Sequence, residues 1–145
     1  VTETRKKVAE YAEAGGANRS EVELAVAEAV SNAVVHAFVG RDGGVITVRA
    51  EIHGPNHLVV QVADNGSGMT TLARSPGAGF GLPIIGALID SVEIYTGAQG
   101  TRLELRFSRA AAGAAILPRR LEARAGGSGS TRNAGCNGRP GRASS

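Results

Sequence analysis

The sequence is poor in cysteine and in aromatic residues, and it has no long apolar run. Cys136 is the single cysteine among 145 residues, which excludes an internal disulfide framework and suits a reducing, cytoplasmic location. Because no stretch of 18 apolar residues occurs, we expect neither a transmembrane helix nor contact with a membrane, and no signal peptide is visible. The length fits one domain with a core, together with appendages.

The positive charge of the chain is concentrated in its C-terminal part. Residues 1–108 hold 9 Lys and Arg against 12 Asp and Glu, a net charge of −3, whereas residues 109–145 hold 7 Arg and Glu122, a net charge of +6. We therefore predict a domain over 1–108 and an Ala/Gly/Arg-rich tail over 109–145. The tail is predicted to be weakly helical from Ala110 to Arg124 and otherwise largely disordered. A mildly acidic domain without a basic stripe argues against direct nucleic-acid binding.

The apolar periodicity predicts a two-layer fold. Three helices are predicted, over Thr2 to Ala14, Ser20 to Phe38 and Leu82 to Ile89. Four strands are predicted, over Val45 to Ile52, Leu58 to Ala63, Val92 to Thr96 and Thr101 to Phe107. This order indicates an α/β (α+β) sandwich, in which a mixed but mostly antiparallel sheet carries helices on one face.

The second predicted helix has two chemically different sides. Glu28, Asn32 and His36 recur at intervals of four and form one slowly drifting stripe. Apolar residues fill the opposite side and are expected to face a core, namely Val22, Val26, Ala29, Val30, Ala33, Val34 and Ala37. Ser20 and Glu23 predict a capping box at the start of this helix. Such a helix is a candidate wall of a functional site.

The polar stripe has a functional and a structural interpretation. Asn32 could offer a neutral oxygen to Mg²⁺, and Glu28, one turn earlier, could act as a general base. The alternative is a solvated helix face with no chemical role. Asn is a mediocre helix former, so its position inside the helix weighs slightly against that alternative.

A short polar segment, Asp64-Asn65-Gly66-Ser67-Gly68-Met69, follows the second strand. An Asp at this position can accept a hydrogen bond from an exocyclic amine such as that of adenine. Glycines let the backbone approach a base and a sugar closely. The alternative is a hairpin turn, but the residues that follow are glycine-rich and do not predict a strand.

A second glycine-rich segment, Gly77-Ala78-Gly79-Phe80-Gly81-Leu82-Pro83, opens the third predicted helix. Free amides at a helix N-terminus attract phosphate oxygens. The spacing is not that of the dinucleotide-binding fingerprint, and no parallel βαβ unit accompanies it. By itself this segment is weak evidence for a phosphate site.

In combination these motifs resemble the GHKL family of ATP-binding proteins. Glu28 and Asn32 match its N-box, the segment from Asp64 to Gly68 its first glycine box, and the segment from Gly77 to Leu82 its second. Gly100-Thr101 resembles the Gly-Thr pair that ends the nucleotide pocket. The resemblance covers Glu3 to Phe107. The stretch EAVSNAVVHAF and the short span between the glycine boxes are most similar to the anti-sigma factor serine/threonine-protein kinases, the RsbW-like branch.

The resemblance implies a Bergerat-type ATP-binding fold that holds ATP and Mg²⁺. It implies that Glu28 is the catalytic base, that Asn32 is both the metal ligand and a nucleotide contact, and that Asp64 recognises adenine. The other implied nucleotide-binding residues are Gly66, Gly68, Met69, Gly77, Gly79, Phe80, Gly81, Leu82 and Thr101. His36 matches the motif too, and both a helix-end polar contact and a functional role stay open for it.

The resemblance also implies partners. A protein of this branch phosphorylates a serine of a STAS-type anti-anti-sigma factor, and it alternately sequesters a sigma factor and so regulates transcription. A homodimer is compatible with it. Two alternatives stay open: a nucleotide-gated protein-binding module without significant kinase turnover, and a detached histidine-kinase catalytic domain.

Overall fold

A computed structural model describes residues 2–38, 40, 42–68, 86, 88–110 and 118–126. Two helices, α1 (Thr2–Ala14) and α2 (Arg19–His36), precede the strands β1 (Val45–His53), β2 (His57–Asp64), β3 (Ser91–Gly97), β4 (Gly100–Ser108) and β5 (Arg120–Gly126). The five strands form one sheet in the order β3-β4-β2-β1-β5, and each neighbouring pair is antiparallel. The predicted α/β fold is confirmed.

The core lies between the two helices and one face of the sheet. Alternate residues of β1, β2 and β4 point to the same side of a pleated sheet, and these are the fully buried ones, including Ile46, Leu58 and Leu105. Valines of both helices cover them, namely Val8, Val22, Val26 and Val30. Burying one such side chain stabilises the fold by roughly 1.5–3 kcal/mol. The opposite face of the sheet is mostly polar, and Val59 is a buried apolar residue on it.

The start of α2 differs from the prediction. Asn18 is the N-cap residue, because its Oδ1 accepts hydrogen bonds from the amides of Ser20 at 3.0 Å and Glu21 at 3.3 Å. The predicted capping box of Ser20 and Glu23 is therefore wrong. Asn caps helices as well as Ser does. Because Asn18 is the cap, α2 begins at Arg19, one residue before the predicted start at Ser20.

The apolar side of α2 is confirmed at six of its seven predicted positions. Val34 is the exception, because its side chain is 42% exposed. Four residues rotate a helix by about 400°, so Val34 lies roughly 40° further round the helix than the buried Val30. Ala25, which was not predicted, is buried in the core.

The helical prediction is wrong for Arg120 to Arg124, since Arg120–Gly126 forms β5 at the edge of the sheet, and residues 111–117 lie outside the described part. Alternating small and charged residues fit a strand once a partner strand is available, and β1 provides that partner. Arg49 Nε donates to Glu122 Oε2 at 3.1 Å across 73 residues of sequence. The domain boundary at residue 108 and the disorder of the tail stay predictions, and residues 127–145 lie outside the described part.

Arg109 fastens the end of the sheet that lies away from the first glycine box, Asp64 to Gly68. Its Nε donates to the carbonyl of Gly15 at 2.5 Å. Its Nη1 donates to the carbonyls of Gly54 at 2.9 Å and Pro55 at 2.8 Å. One guanidinium thus links the turn after α1 to the β1–β2 hairpin.

Two further predictions concern helices. Of the predicted helix from Leu82 to Ile89, only Gly86, Leu88 and Ile89 are described, and the first two are helical. In the part of the chain that the structure describes, no helix is long and apolar enough to cross a membrane.

Candidate nucleotide site

A cleft opens between the C-terminal half of α2 and the adjoining ends of β2 and β4. Asn32 and His36 line it from α2, Asp64 from the end of β2, and Thr101 from the start of β4. Its apolar lining comes from small or aliphatic side chains, namely Ala29, Ala33, Ala37 and Leu103. The cavity volume is about 20 Å³, roughly the room for one water molecule, and the wider space of the cleft includes open solvent.

The carboxylate of Asp64 is held in a fixed orientation. Its Oδ1 accepts hydrogen bonds from the backbone amides of Gly66 at 2.9 Å and Thr101 at 3.2 Å. A carboxylate has about four lone-pair positions, so it can accept further hydrogen bonds besides these two from backbone amides. The cleft therefore presents an oriented acceptor beside apolar walls, the arrangement that recognises a planar group carrying an N–H donor.

The adjacent glycines are required by contacts within the protein. A Cβ on Gly66 would lie 2.2 Å from the carbonyl oxygen of Ala37, at the end of α2. Gly100 has φ +123, and a Cβ there would lie 2.0 Å from the carbonyl oxygen of Asp64. Because only glycine fits at these two positions, the glycine-rich segment can pack against α2 and β4 and hold Asp64 at the cleft.

The polar stripe of α2 divides at the cleft. Asn32 and His36 line the cleft, whereas Glu28 is half-buried one turn earlier and is not among its lining residues. A helix that passes a cleft at an angle presents only part of a four-residue stripe to it. His36, whose role was open from the sequence, thus lies in the same wall as Asn32.

The structure brings four of the predicted nucleotide-binding residues to one cleft: Asn32, Asp64, Gly68 and Thr101. Gly66 contributes to the site indirectly, because its backbone amide donates a hydrogen bond to Asp64 Oδ1. The remaining predicted contacts lie outside the described residues, and these are Met69, Gly77, Gly79, Phe80, Gly81 and Leu82. The roles assigned to all these residues stay predictions.

Two residues that shape the site were not predicted from the sequence. Leu103 lines the cleft, and the two-residue alternation of β4 with Thr101 could have indicated it. Asn65 Oδ1 accepts from the amide of Val45 at 2.8 Å, and its own amide donates to the Val45 carbonyl at 3.3 Å. Nothing local in the sequence predicts that long-range pair, which fastens the loop after β2 to the start of β1.

The family model of the histidine kinase-like ATPase domain matches residues 1–107. This match covers well over half of the chain, so the chain belongs to that family. The resemblance to GHKL proteins that the motifs indicated is confirmed, and family membership places the chain among ATP-binding domains.

Named relatives are found in bacteria. The chain is 34% identical over 90 residues to the serine-protein kinase RsbW of Listeria monocytogenes serotype 4a (strain HCC23), covering 52% of this chain and 57% of the relative. It is 29% identical over 98 residues to the anti-sigma F factor of Thermoanaerobacter sp. (strain X514), covering 59% and 67%. The chain thus spans little more than half the length of the RsbW relative.

Solved structures share the fold. The histidine kinase domain of the blue-light activated histidine kinase EL346 of Erythrobacter litoralis matches with a TM-score of 0.52 and 24% identity, covering 61% of this chain and 46% of that one. A further structure of the blue-light activated histidine kinase matches with a TM-score of 0.55 and 25% identity, covering 61% and 30%. At this identity the likeness supports the α/β architecture.

Proposed function

We propose that the protein is an anti-sigma factor with protein-serine kinase activity, which binds ATP and Mg²⁺ in the α2 cleft. The observation that carries the proposal is the oriented carboxylate of Asp64 at a cleft whose opposite wall holds Asn32. The names of the relatives, serine-protein kinase RsbW and anti-sigma F factor, support the choice of reaction and partner.

The residues that line the cleft suit contact with an adenine base. Ala29, Ala33 and Leu103 offer apolar contact, and Asp64 offers an acceptor that two backbone amides already orient. An exocyclic amine would donate a hydrogen bond to the carboxylate. A keto oxygen at the same position would be repelled by it, because both groups are acceptors. This difference would select adenine over guanine at the amine position.

Asn32 fits the role of a magnesium ligand. Mg²⁺ prefers oxygen ligands and is commonly held by few protein groups together with substrate phosphates and water. The side-chain amide of Asn32 carries a neutral oxygen, and the residue lines the cleft from α2, whereas Asp64 lines it from β2. When bound, the metal ion would neutralise charge on the phosphates of the nucleotide.

Glu28 is the proposed general base. It lies one turn before Asn32 and outside the lining of the cleft. A general base must come within hydrogen-bond distance of the proton that it accepts, and in this proposal that proton belongs to a second substrate and not to the nucleotide. We propose that it accepts the proton of the serine hydroxyl of a STAS-type anti-anti-sigma partner.

The proposal is tested by phosphotransfer. The full chain is incubated with ATP, Mg²⁺ and candidate STAS-type proteins, and the products are mapped by mass spectrometry. We expect one phosphoserine on the partner and none without Mg²⁺. ATP binding with no phosphate on any candidate, and no effect on the affinity for a sigma factor, would contradict the proposal.

A second candidate is a nucleotide-gated binding module with little turnover. The specific observation in its favour is that Glu28 is not among the residues lining the cleft with Asn32. In that case ATP would change the affinity for a sigma factor without any phosphotransfer. A detached histidine-kinase domain would instead yield phosphohistidine, which is labile to acid and stable to base. The cytoplasmic location stays a prediction.

A further inference from the structure

The helix-free face of the sheet, which lies opposite the two helices, carries its side chains in rows. Residues that pair across antiparallel strands point to the same face, and three rows cross all five strands. The Arg102 row consists, from β3 to β5, of Tyr95, Arg102, Ala63, Thr47 and Arg124. The Glu104 row consists of Glu93, Glu104, Gln61, Arg49 and Glu122. The Arg106 row consists of Ser91, Arg106, Val59, Glu51 and Arg120.

The carboxylates of the Glu104 row are already bonded within the protein. Gln61 Nε2 donates to Glu104 Oε1 at 2.9 Å. Arg49 Nε donates to Glu122 Oε2 at 3.1 Å, and the hydroxyl of Tyr95 donates to Glu93. The acidic side chains of this row are therefore engaged by their neighbours on the same face.

The Arg102 row differs, because it holds two arginines and no acidic residue. The central guanidinium carbon of Arg102 lies 4.5 Å from the centroid of the Tyr95 ring, and this stacking orients the group. Within the part of the chain that the structure describes, neither Arg102 nor Arg124 forms an ion pair. A guanidinium that stacks on a ring still presents its N–H donors at the edge, in the geometry that suits a carboxylate.

A depression of about 130 Å³ lies in the middle of the Arg102 row. Its lining residues are Thr47, Arg49, Gln61, Ala63 and Arg102. Ala63 and Thr47 pair directly, and as small side chains between larger ones they form its floor. The depression can receive one apolar side chain of another molecule.

The spacing of the two arginines suggests what would bind there. Arg102 lies on β4 and Arg124 on β5, with β2 and β1 between them. Neighbouring strands are about 4.8 Å apart, so the two backbone positions are roughly 14 Å apart. An extended chain rises about 3.3 Å per residue, so roughly four residues cover this distance. Residues i, i+2 and i+4 of an extended chain point to one side.

We propose that the helix-free face binds an extended acidic segment of a partner protein across the Arg102 row. The recognised pattern is an acidic residue, any residue, an apolar residue, any residue and a second acidic residue. The two carboxylates pair with Arg102 and Arg124. The apolar side chain between them enters the depression over Ala63 and Thr47.

The Arg106 row provides an internal comparison. Arg106 and Arg120 occupy the same strands, β4 and β5, as the two arginines of the Arg102 row. Between them lie Val59 and Glu51, where the Arg102 row has Ala63 and Thr47. Val59 is larger than Ala, and Glu51 would repel an acidic segment. The Arg106 row is therefore not expected to bind the same segment.

The proposed site is separate from the cleft. The helices and the lining residues Ala29 and Leu103 of the cleft lie on the other face of the sheet. The inference therefore does not depend on the proposed function, and the binding experiment is done without ATP.

The test measures the fluorescence anisotropy of labelled peptides mixed with the full chain at low ionic strength. The probe carries Glu-Ser-Leu-Ser-Glu with blocked termini. The control peptide carries Glu-Ser-Leu-Glu-Ser, which has the same composition but directs its second carboxylate to the other side of an extended chain. We expect the probe to bind roughly fivefold more tightly, as one additional exposed ion pair allows, and to lose affinity as salt is added.

Variants of the chain locate the peptide. Arg102→Gln and Arg124→Gln should each weaken the probe roughly fivefold, because each removes one ion pair. Arg106→Gln and Arg120→Gln are the matched controls on the same two strands and should bind the probe normally. Ala63→Leu fills the depression, so it should reduce the advantage of Leu over Gly at the centre of the probe.

A charge reversal tests direct pairing. Arg102→Glu should bind better to a probe in which one terminal Glu of the pattern is Lys than to the original probe. Comparing Lys at either end then gives the direction of the segment, since only the end over position 102 should restore binding.

Three results would overturn the proposal. They are no change in anisotropy with the probe, equal affinity for the probe and the control peptide, and equal losses in Arg102→Gln and Arg106→Gln. Circular dichroism checks that each variant is folded. Arg124→Gln lies at the other end of the site, so it decides the question if Arg102→Gln does not fold.

Discussion

The backbone amide of Thr101 donates to Asp64 Oδ1 over 3.2 Å, so the start of β4 holds the last side chain of β2 in place. These residues are 37 positions apart in the sequence, and the antiparallel β2–β4 pairing brings them together. The amide of Gly66 completes the arrangement at 2.9 Å. The acceptor at the cleft is thus oriented by the sheet before any ligand arrives.

Asp64→Asn should weaken ATP binding. The new side chain can keep its oxygen on the two amides, but it replaces the other carboxylate oxygen with an N–H donor that faces the adenine amine. Losing a hydrogen bond to a charged group costs about 1.5–3 kcal/mol, so we expect roughly 10- to 150-fold lower affinity in isothermal titration calorimetry. Asp42→Asn makes the same chemical change at an exposed turn and should have no effect. Unchanged affinity in Asp64→Asn would contradict the adenine assignment.

Glu28→Gln should separate binding from catalysis. Because Glu28 lies outside the lining of the cleft, ATP affinity should stay within about twofold of the unmodified protein. If Glu28 is the general base, phosphotransfer to the serine should fall by roughly 100-fold or more. Both are measured with the same STAS-type partner, and Glu21→Gln on the first turn of α2 is the control. Full activity in Glu28→Gln would remove it as the base.

Gly100→Ala should destabilise the fold and the site together. Gly100 has φ +123, and the added Cβ would lie 2.0 Å from the carbonyl oxygen of Asp64. Backbone strain of this kind costs about 1–3 kcal/mol, which urea unfolding should detect along with weaker ATP binding. Gly97→Ala is the matched control in the same hairpin, because no atom lies within 4 Å of its added Cβ. Equal stability of the two variants would argue against the close approach.

Tyr11→Phe should loosen β5. The hydroxyl of Tyr11 donates to the carbonyl of Pro118 at 2.8 Å, just before β5 begins. Losing this bond should cost about 0.5–1.5 kcal/mol and speed hydrogen exchange of the β5 amides. Tyr95→Phe alters a hydroxyl that bonds Glu93 on β3, so it should leave β5 exchange unchanged. Equal exchange rates in Tyr11→Phe and the unmodified chain would contradict this link.

Tyr11 also predicts a pH dependence. Burial raises the pKa of Tyr11 above its ordinary value of 10.0. The folded state therefore holds this proton more tightly than the unfolded state, so the stabilisation is present below pH 10 and is lost as the pH rises through the raised pKa. Unfolding at alkaline pH should show a shallower decline in Tyr11→Phe than in the unmodified chain.

Much of the fold was predictable because its signals are local. The two helices and β1 to β4 each bury one regular side, so the periodicity of apolar residues identified them. β5 was predicted to be helical because Leu, Glu, Ala and Arg are good helix formers, whereas its strand conformation depends on pairing with β1. The N-cap of α2 was predicted at Ser20 and not at Asn18 because both residue types are good caps and the two lie only two residues apart.

For the candidate site, too, some features follow from local sequence and others depend on the fold. The sequence by itself determined which residue types are present in the N-box and the glycine box, and hence the family. Only the tertiary structure decided that Asn32, His36, Asp64 and Thr101 share one cleft while Glu28 lies outside its lining. The reason is geometric: spacing along a helix sets which side a residue occupies, but the neighbouring strands determine which part of that side faces the cleft.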